Sequence, residues 1–248
     1  MKQGIVICVC LALFFVVCMP VFAQPNSKSV ETILIDTFDD PDGKPFKWTV
    51  QASRSIHVGK DSNGNAVPED TYPKMAYVEG IPNSLRSYRT ESDGTPYVLG
   101  VQVKYDRKGD NWFEIYPTDK ETGEPYEAPL LGNAAQLDFW VWGANYAYYL
   151  EVLIRDANGT VHVLPATTLN YEGWRNLVVA IPSTVHQHSR LRSGPETATF
   201  VGFRVRSAPN EFVDDFVIYF DQLRYTSYTM SYIYDGFELR KPNFGEAN

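Results

Sequence analysis

The central part of the chain, residues 136–182, alternates apolar and polar side chains with a period of two. In its first segment the two alternating sets are Leu137, Phe139 and Val141, and Asp138, Trp140 and Trp142. A period of two places such sets on opposite faces of a β-strand. Residues 148–155 repeat the pattern, with Glu151 and Arg155 on the side that we expect to face solvent. The block therefore predicts antiparallel β-sheet.

Turn and loop signals divide the rest of the chain into short strands. Asn158-Gly159 is typical of a two-residue hairpin turn, because both residues tolerate positive φ. Further strands are predicted at 32–38, 46–50, 97–105, 112–116, 200–206 and 216–225. Glycine, proline, aspartate and asparagine interrupt every period in 60–93 and 118–129, so both segments are predicted as long loops. No segment predicts a helix of three turns, although the polar residues 183–198 have room for one short helical turn.

Many short strands separated by loops predict an all-β fold. We expect a jelly-roll β-sandwich resembling carbohydrate-binding modules (galactose-binding-like), with long surface loops. Its predicted limits are residues 24–226, and residues 227–248 are predicted as a C-terminal tail. The chain is 14% aromatic and long enough to fill the core of such a domain.

Residues 1–23 are predicted as a cleaved signal peptide. Lys2 supplies the positive end, residues 5–19 are apolar, and Ala23 ends a stretch suited to cleavage. All three cysteines lie in this segment, so the exported domain would contain no disulfide. A lipid anchor on Cys18 is the rival interpretation, but Val17 is bulky where a lipoprotein signal usually has a small residue. The formal net charge of −8 disfavours nucleic acid and anionic membranes as partners, and no later segment is apolar enough to insert into a bilayer.

Several sequence blocks in a fixed order carry a resemblance to a known family. They are Tyr72-Pro73-Lys74-Met75 with Glu79-Gly80-Ile81-Pro82, Leu99-Gly100-Val101 with Asp106-Arg107-Lys108-Gly109-Asp110-Asn111-Trp112, Phe139-Trp140-Val141-Trp142-Gly143, Tyr148-Tyr149-Leu150-Glu151-Val152, Gly173-Trp174-Arg175-Asn176-Leu177, Phe203-Arg204-Val205 and Tyr219-Phe220-Asp221-Gln222-Leu223. On these blocks the chain resembles the spirochaete flagellar filament outer-layer proteins, the FlaA-like sheath subunits of periplasmic flagella. The blocks together cover nearly all of the chain after the predicted signal.

The resemblance implies a structural protein without enzymatic activity. It implies a subunit that coats the flagellin core of the filament and contributes to motility. The implied partners are flagellin core filament proteins, other sheath subunits and further copies of the chain itself. The implied location is the periplasm, on the periplasmic flagellum. A carbohydrate-binding, lectin-like periplasmic protein is the alternative, because it would share the fold and the aromatic residues.

Four aromatic residues form the most prominent candidate binding site: Trp140, Trp142, Tyr146 and Tyr149. Aromatic side chains that carry a polar group suit contact surfaces, so these residues are a candidate platform for a neighbouring subunit or a sugar ring. The alternative is that long loops cover the sheet and make the four residues part of the core, since large aromatic side chains are mostly buried.

Acidic residues near the first and last strands are candidate metal ligands. Asp39, Asp40 and Asp221 could hold a structural calcium ion, because calcium requires several oxygen ligands and clustered carboxylates supply them. Ordinary turn and capping roles are the alternative for these aspartates. No other cofactor is predicted. No nucleophile motif or phosphate-binding glycine loop is present in the sequence, so no catalytic residue is predicted.

Overall fold

Alternating side chains build fourteen β-strands in the part of the chain that this computed structural model describes, residues 28–189 and 197–230. The strands are β1 (Lys28–Asp36), β2 (Phe46–Ala52), β3 (Val58–Lys60), β4 (Ala66–Thr71), β5 (Lys74–Glu79), β6 (Tyr97–Val103), β7 (Trp112–Asp119), β8 (Ala128–Pro129), β9 (Asn133–Ala144), β10 (Tyr148–Arg155), β11 (Val161–Thr168), β12 (Glu172–Ala180), β13 (Thr199–Ser207) and β14 (Phe216–Met230). One short helix, α1 (Asn83–Arg86), and one 3-10 turn (Glu91–Asp93) lie between β5 and β6. No helix in the described segments is long and apolar enough to cross a membrane.

Two six-stranded antiparallel sheets contain most of these strands. Sheet A has the order β12-β9-β14-β6-β5, and β1 also pairs with β14. Sheet B has the order β11-β10-β13-β7-β2, and β8 also pairs with β13. Residues Val30–Thr229 form one compact unit. The predicted signal peptide, 1–23, lies outside the described residues, as do residues 231–248 of the predicted tail.

The two sheets face each other across a core rich in aromatic rings. Phe203 of sheet B stacks on Phe220 of sheet A with ring centroids 4.6 Å apart, and Phe139 of sheet A lies 4.9 Å from the Phe203 ring. Tyr148 of sheet B stacks on Phe216 of sheet A at 4.2 Å. Each such ring removes a large apolar area from water, which holds the sheets together. The predicted all-β sandwich is confirmed.

The alternation predicted for β9 and β10 is present, but one side chain that was expected to face solvent is buried. Phe139 is fully buried, whereas its neighbours Trp140 and Trp142 lie on the other side of β9 and are partly exposed. Glu151 lies on the outer side of β10 as predicted, yet it is only 9% exposed. Arg206 on the neighbouring strand β13 covers it, and Nη2 donates to Oε1 at 2.7 Å. Cross-strand ion pairing therefore buries a side chain that was expected to face solvent.

The turn between β10 and β11 is longer than predicted. Residues 156–160, rather than two residues, join the strands. Oδ1 of Asp156 organises this loop, because it accepts hydrogen bonds from the backbone amides of Asn158 and Thr160 at 2.9 and 2.8 Å. Within the loop only Gly159 has a positive φ, 90°, whereas a two-residue type I′ turn needs two such residues. The aspartate therefore fixes a wider turn than Asn158-Gly159 alone indicates.

The segment 60–93, predicted as a loop, contains β4, β5 and α1. Strand β5 pairs with β6 and forms one edge of sheet A. Its Met75 and Tyr77 pack against the core. Pro73 stands directly before this six-residue strand, a position that an edge strand tolerates. Proline is also a loop signal, so its presence led to the prediction of a loop here. The second predicted loop, 118–129, holds the two-residue strand β8 at its end.

A bulge in β14 arranges the outer face of sheet A. The register against β9 shifts between Asp221 and Arg224, and Gln222 between them has φ 52°. As a result Asp221 pairs with Trp140 and Arg224 pairs with Asp138. A bulge changes the direction of the side chains that follow it. Here Gln222 and Arg224 both reach the outer face of sheet A, where Arg224 lies beside Asp138. The strand then continues to its end at residue 230, beyond the predicted domain limit at residue 226.

Candidate binding face on sheet A

Three aromatic side chains lie side by side on the outer face of sheet A, on strands β12, β9 and β14. Trp174 is the ladder partner of Trp142, and Trp142 is the ladder partner of Tyr219. The rings of Trp142 and Tyr219 meet edge to face with centroids 5.5 Å apart. All three side chains are partly exposed. We call these three residues the aromatic row.

Gly100 on β6 makes room for the tyrosine of the aromatic row. It is the ladder partner of Tyr219. A Cβ atom at position 100 would lie 2.8 Å from Cε1 of Tyr219, which is closer than real Cβ atoms approach a neighbour. The absence of a side chain therefore lets the tyrosine ring lie over the backbone of the adjacent strand.

A groove of about 620 Å³ adjoins the aromatic row. Sheet A contributes four lining residues: Trp140, Asn176, Gln222 and Arg224. The opposite side of the groove is formed by residues 81–89, which include α1 and which we call the strap. Tyr88 is the most exposed large hydrophobic residue of the described chain, at 82%, and it lines the groove from the strap. Trp140 and Asn176 stand two residues from the aromatic row along β9 and β12, so the groove and the row form one continuous face.

Both arginines of the groove are paired with carboxylates. Nε of Arg224 donates to Oδ1 of Asp138 at 3.0 Å, and the same oxygen accepts from Nδ2 of Asn176 at 2.9 Å. Nη1 of Arg89 donates to Oδ2 of Asp39 at 2.8 Å, which ties the strap to the segment after β1. The positive charges of the groove are therefore compensated locally.

Two buried polar atoms beside the groove have no hydrogen-bond partner within the described residues: Nε1 of Trp140 and Oδ1 of Asp221. Their residues are ladder partners on β9 and β14. Asp221 is only 3% exposed. Burial raises the pKa of its carboxyl to about 7, and the negative charge of Asp39 acts in the same direction. Asp221 therefore titrates near neutral pH.

The four aromatic residues predicted as one platform lie in three different places. Trp140 and Trp142 share the outer face of sheet A. Tyr146 lies in the link between β9 and β10, where it packs against Tyr148 and its hydroxyl donates to the carbonyl of Asp214. Tyr149 lies on the outer face of sheet B and is 41% exposed. Because the two outer faces point in opposite directions, these residues cannot contact one ligand together.

Sequence reasoning missed two residues of the aromatic row, Trp174 and Tyr219. Each lies on an outward position of a predicted strand, so the alternation contained the signal. The alternation does not show which strands are neighbours in the sheet, because ladder partners are far apart in sequence.

The predicted calcium ligands are engaged separately. Asp39 pairs with Arg89 and also accepts from the backbone amide of Tyr97 at 3.0 Å. Oδ1 of Asp40 caps its own turn by accepting from the backbone amides of residues 42 and 43. Asp221 is buried beneath the face described above. Within residues 28–189 and 197–230, no group of three or more His, Cys, Asp or Glu side chains is placed to hold a metal ion.

His57 is a further titratable site that sequence reasoning passed over. Its Nδ1 lies 2.6 Å from Oδ1 of Asp106, and its Nε2 lies 2.9 Å from Oδ2 of Asp70. The hydrogen bond to Asp70, and then the bond to Asp106, raise the pKa of the imidazole above its usual value. A histidine between two carboxylates is favoured in its doubly protonated form, because both ring nitrogens then donate.

The family is decided by comparison with known proteins. The model of the flagellar filament outer layer protein FlaA matches residues 69–232. This chain belongs to the FlaA family. A flagellar filament outer layer-like protein of Brachyspira hyodysenteriae is 30% identical over 197 residues, which are 79% of each chain. The FlaA match begins inside β4 and contains the strap, the aromatic row and the groove.

Some solved carbohydrate-binding modules are distantly similar to this FlaA family member. A family 11 module from Clostridium thermocellum has a TM-score of 0.43 and 10% identity, with coverage of 81% of this chain and 98% of that chain. A carbohydrate-binding module of the β-sandwich superfamily has a TM-score of 0.44 and 11% identity. The comparison covers 77% of this chain and 61% of that chain, so this chain spans less than two thirds of its length. With TM-scores below 0.5, these likenesses say nothing about what the chain binds.

Proposed function

We propose that this FlaA family member is a structural subunit that coats the flagellin core of the flagellar filament and contributes to motility. We propose the periplasm as its location, reached through the signal at residues 1–23. The observation that carries the proposal is the family match over residues 69–232, which spans strands β5–β14 and therefore most of both sheets. The partners are flagellin core proteins, other sheath subunits and further copies of the chain.

We further propose that the outer face of sheet A is the contact face. Interfaces are enriched in aromatic side chains and depleted of charged ones at their centre, and the aromatic row has this composition. Cross-strand ion pairs lie on both outer faces: Arg204–Glu114 and Arg206–Glu151 on sheet B, and Arg224–Asp138 on sheet A beside the groove. The aromatic row, and not the absence of charge, therefore distinguishes sheet A.

A function without a chemical step fits two carboxylates on the outer face of sheet B, Glu114 and Glu151, which hold neighbouring strands together. Glu114 is held by Arg204 at 2.7 Å and by Gln51 at 2.8 Å. Glu151 is held by Arg206 at 2.7 Å. Both residues therefore act as cross-strand ties.

Cosedimentation with purified flagellin filaments tests the proposal. The wild-type chain should pellet with filaments and stay in the supernatant without them. Trp142→Ala should pellet less because it removes the centre of the aromatic row, whereas Tyr149→Ala on the opposite sheet should behave as wild type. A wild-type chain that remains in the supernatant at saturating filament concentration would show that the proposal is wrong.

A further inference from the structure

We propose that the aromatic row and the adjoining groove bind a chain of neutral sugar rings. This inference deepens the proposed function, because it names a ligand for the proposed contact face. It rests on the proposed function only in identifying the glycan-binding face with the contact face of the coat subunit. The binding itself depends on four side chains of sheet A, Trp142, Trp174, Tyr219 and Asn176, together with the strap.

The shape of the aromatic row suits successive rings. Its three side chains stand on three adjacent strands, so the row extends over two strand spacings, or about 10 Å. That length accommodates two linked sugar rings. The faces of indole and phenol rings carry partial negative charge, and the C–H groups on one face of a sugar carry partial positive charge. Because the Trp142 and Tyr219 rings meet edge to face, each ring of the row offers its own face for stacking against a sugar, without a charged contact.

The polar groups of the groove match hydroxyl groups. The side-chain amides of Asn176 and Gln222 each contain a donor and an acceptor, and Ser84 on the strap adds a hydroxyl. Nδ2 of Asn176 already donates to Asp138, so its side-chain oxygen is the group that remains to accept a hydrogen bond from a sugar hydroxyl. A sugar hydroxyl both donates and accepts, so it can also pair with Gln222 and Ser84. The groove volume of about 620 Å³ lies in the usual range for small-ligand sites, roughly 300–1,000 Å³.

The charge pairing of the face favours a neutral ligand over an acidic one. Arg224 and Arg89 already donate to Asp138 and Asp39. A phosphate or carboxylate in the groove would have to compete with these carboxylates and would lie close to their negative charge. A neutral ligand can bind without displacing either carboxylate from its arginine. The strap lies beside the sheet and gives the groove a second side, so a ligand in the groove can contact both the strap and the sheet.

A binding experiment with purified full-length protein tests the inference. The probes are an array of neutral oligosaccharides and the glycans released from purified flagellar filaments. The wild-type chain should bind at least one of these probes. Trp142→Ala and Trp174→Ala should each weaken that binding about tenfold, which corresponds to the loss of one stacked aromatic contact. Tyr149→Ala is the matched control on sheet B and should bind as wild type.

Folding is checked on every variant by thermal melting, and Trp174→Ala decides the outcome if Trp142→Ala does not fold, because Trp174 lies on the edge strand β12. Binding to released filament glycans identifies the filament as the source of the ligand, and binding to the array identifies a free glycan; either result supports the inference. Absence of wild-type binding to both probes overturns it. The inference is also overturned if Tyr149→Ala loses as much saccharide binding as the tryptophan variants, or if a folded Trp174→Ala binds saccharide as the wild type does.

Parallel cosedimentation separates this inference from the proposed function. Retention on filaments without saccharide binding overturns the inference and leaves the coat function standing. Saccharide binding without retention on filaments supports the inference and overturns the coat function.

Discussion

Among single residues, we expect Asp221 to make stability depend on pH, because its carboxyl is buried opposite Trp140 and its Oδ1 has no hydrogen-bond partner among the described residues. An aspartate in an unfolded chain ionises near pH 4, whereas burial raises the pKa of Asp221 to about 7 in the fold. Between these two pH values the unfolded state releases its proton and the folded state retains it. The contribution of Asp221 therefore lowers the free energy of unfolding as pH rises from about 4 to about 7.

Replacement of Asp221 by asparagine should remove this pH dependence. For the wild type we expect the residue to lower the free energy of unfolding by roughly 2–3 kcal/mol between pH 5 and pH 8. Asp221→Asn should lose most of that decrease, since no charge forms. Urea unfolding at both pH values measures it, with Asp40→Asn in an exposed turn as the control. A slope that is the same in the wild type and in Asp221→Asn would contradict the prediction.

A glycine pair tests the packing of the aromatic row. Gly100→Ala places a Cβ atom 2.8 Å from the Tyr219 ring, so the ring must move. We expect a loss of about 1–3 kcal/mol in the free energy of unfolding, as for other overpacked sites. Gly80→Ala is the matched control, because its Cβ atom would meet Val98 at an ordinary 3.6 Å. Thermal melting compares the two, and equal effects would show that Tyr219 does not depend on Gly100.

The residues of the candidate site could be predicted only in part. Trp140 and Trp142 were placed on a common face correctly, because both lie in one strand and a period of two relates them directly. Tyr149 was grouped with them wrongly, since the chain crosses from sheet A to sheet B between β9 and β10. Alternation records which face of its own strand a residue occupies, but it does not record to which sheet the strand belongs.

At the scale of elements, predictability followed the strength of the local pattern. Strand β9 is central and twelve residues long, so its alternation was evident. Strand β5 lies at an edge, is six residues long and follows Pro73, so it was predicted as loop. The β10–β11 turn was predicted too short because the role of Asp156 depends on its side-chain hydrogen bonds rather than on turn composition.

The side chain of His57 is one of several links between the β3–β4 hairpin and the rest of the fold, and the ion pair between Lys104 and Asp70 is another. Asp70 belongs to β4, whereas Asp106 follows β6, so the imidazole links the hairpin to the region after a sheet A strand. The pKa of His57 is raised, so the link is fully present below the unfolded pKa, about 6.5. It is lost as pH rises through the higher folded pKa.

Proteolysis should report this link. We expect cleavage within residues 58–71 to accelerate as pH rises through the folded pKa of His57, because the neutral imidazole can donate to only one carboxylate. His57→Gln should show fast cleavage at every pH, and His162→Gln, which alters a different histidine, should resemble the wild type. Proton NMR of the imidazole gives the pKa independently. A value at or below 6.5, or cleavage that does not change with pH, would contradict the assignment.

At the scale of the whole molecule, the sandwich has two outer faces of different chemistry. Sheet B carries the ion pairs Arg204–Glu114 and Arg206–Glu151, whereas sheet A carries the aromatic row and the groove together with the ion pair Arg224–Asp138. Fold class followed from alternation and loop spacing, whereas the family is shown by the match over residues 69–232, and the proposed coat function rests on that family. Physical patterning could not supply that function, because a subunit that acts through its surface needs no residue chemistry that a motif would record.

Electron cryo-tomography of intact cells tests the coat function most directly. Filaments should show an outer layer of density in cells that express the chain, and that layer should be reduced or absent when the gene is deleted and restored when it is returned. Trp142→Ala should restore less of the layer than Tyr149→Ala, since only the former alters the outer face of sheet A. Filaments of identical diameter with and without the chain, and a chain dispersed away from them, would contradict the account.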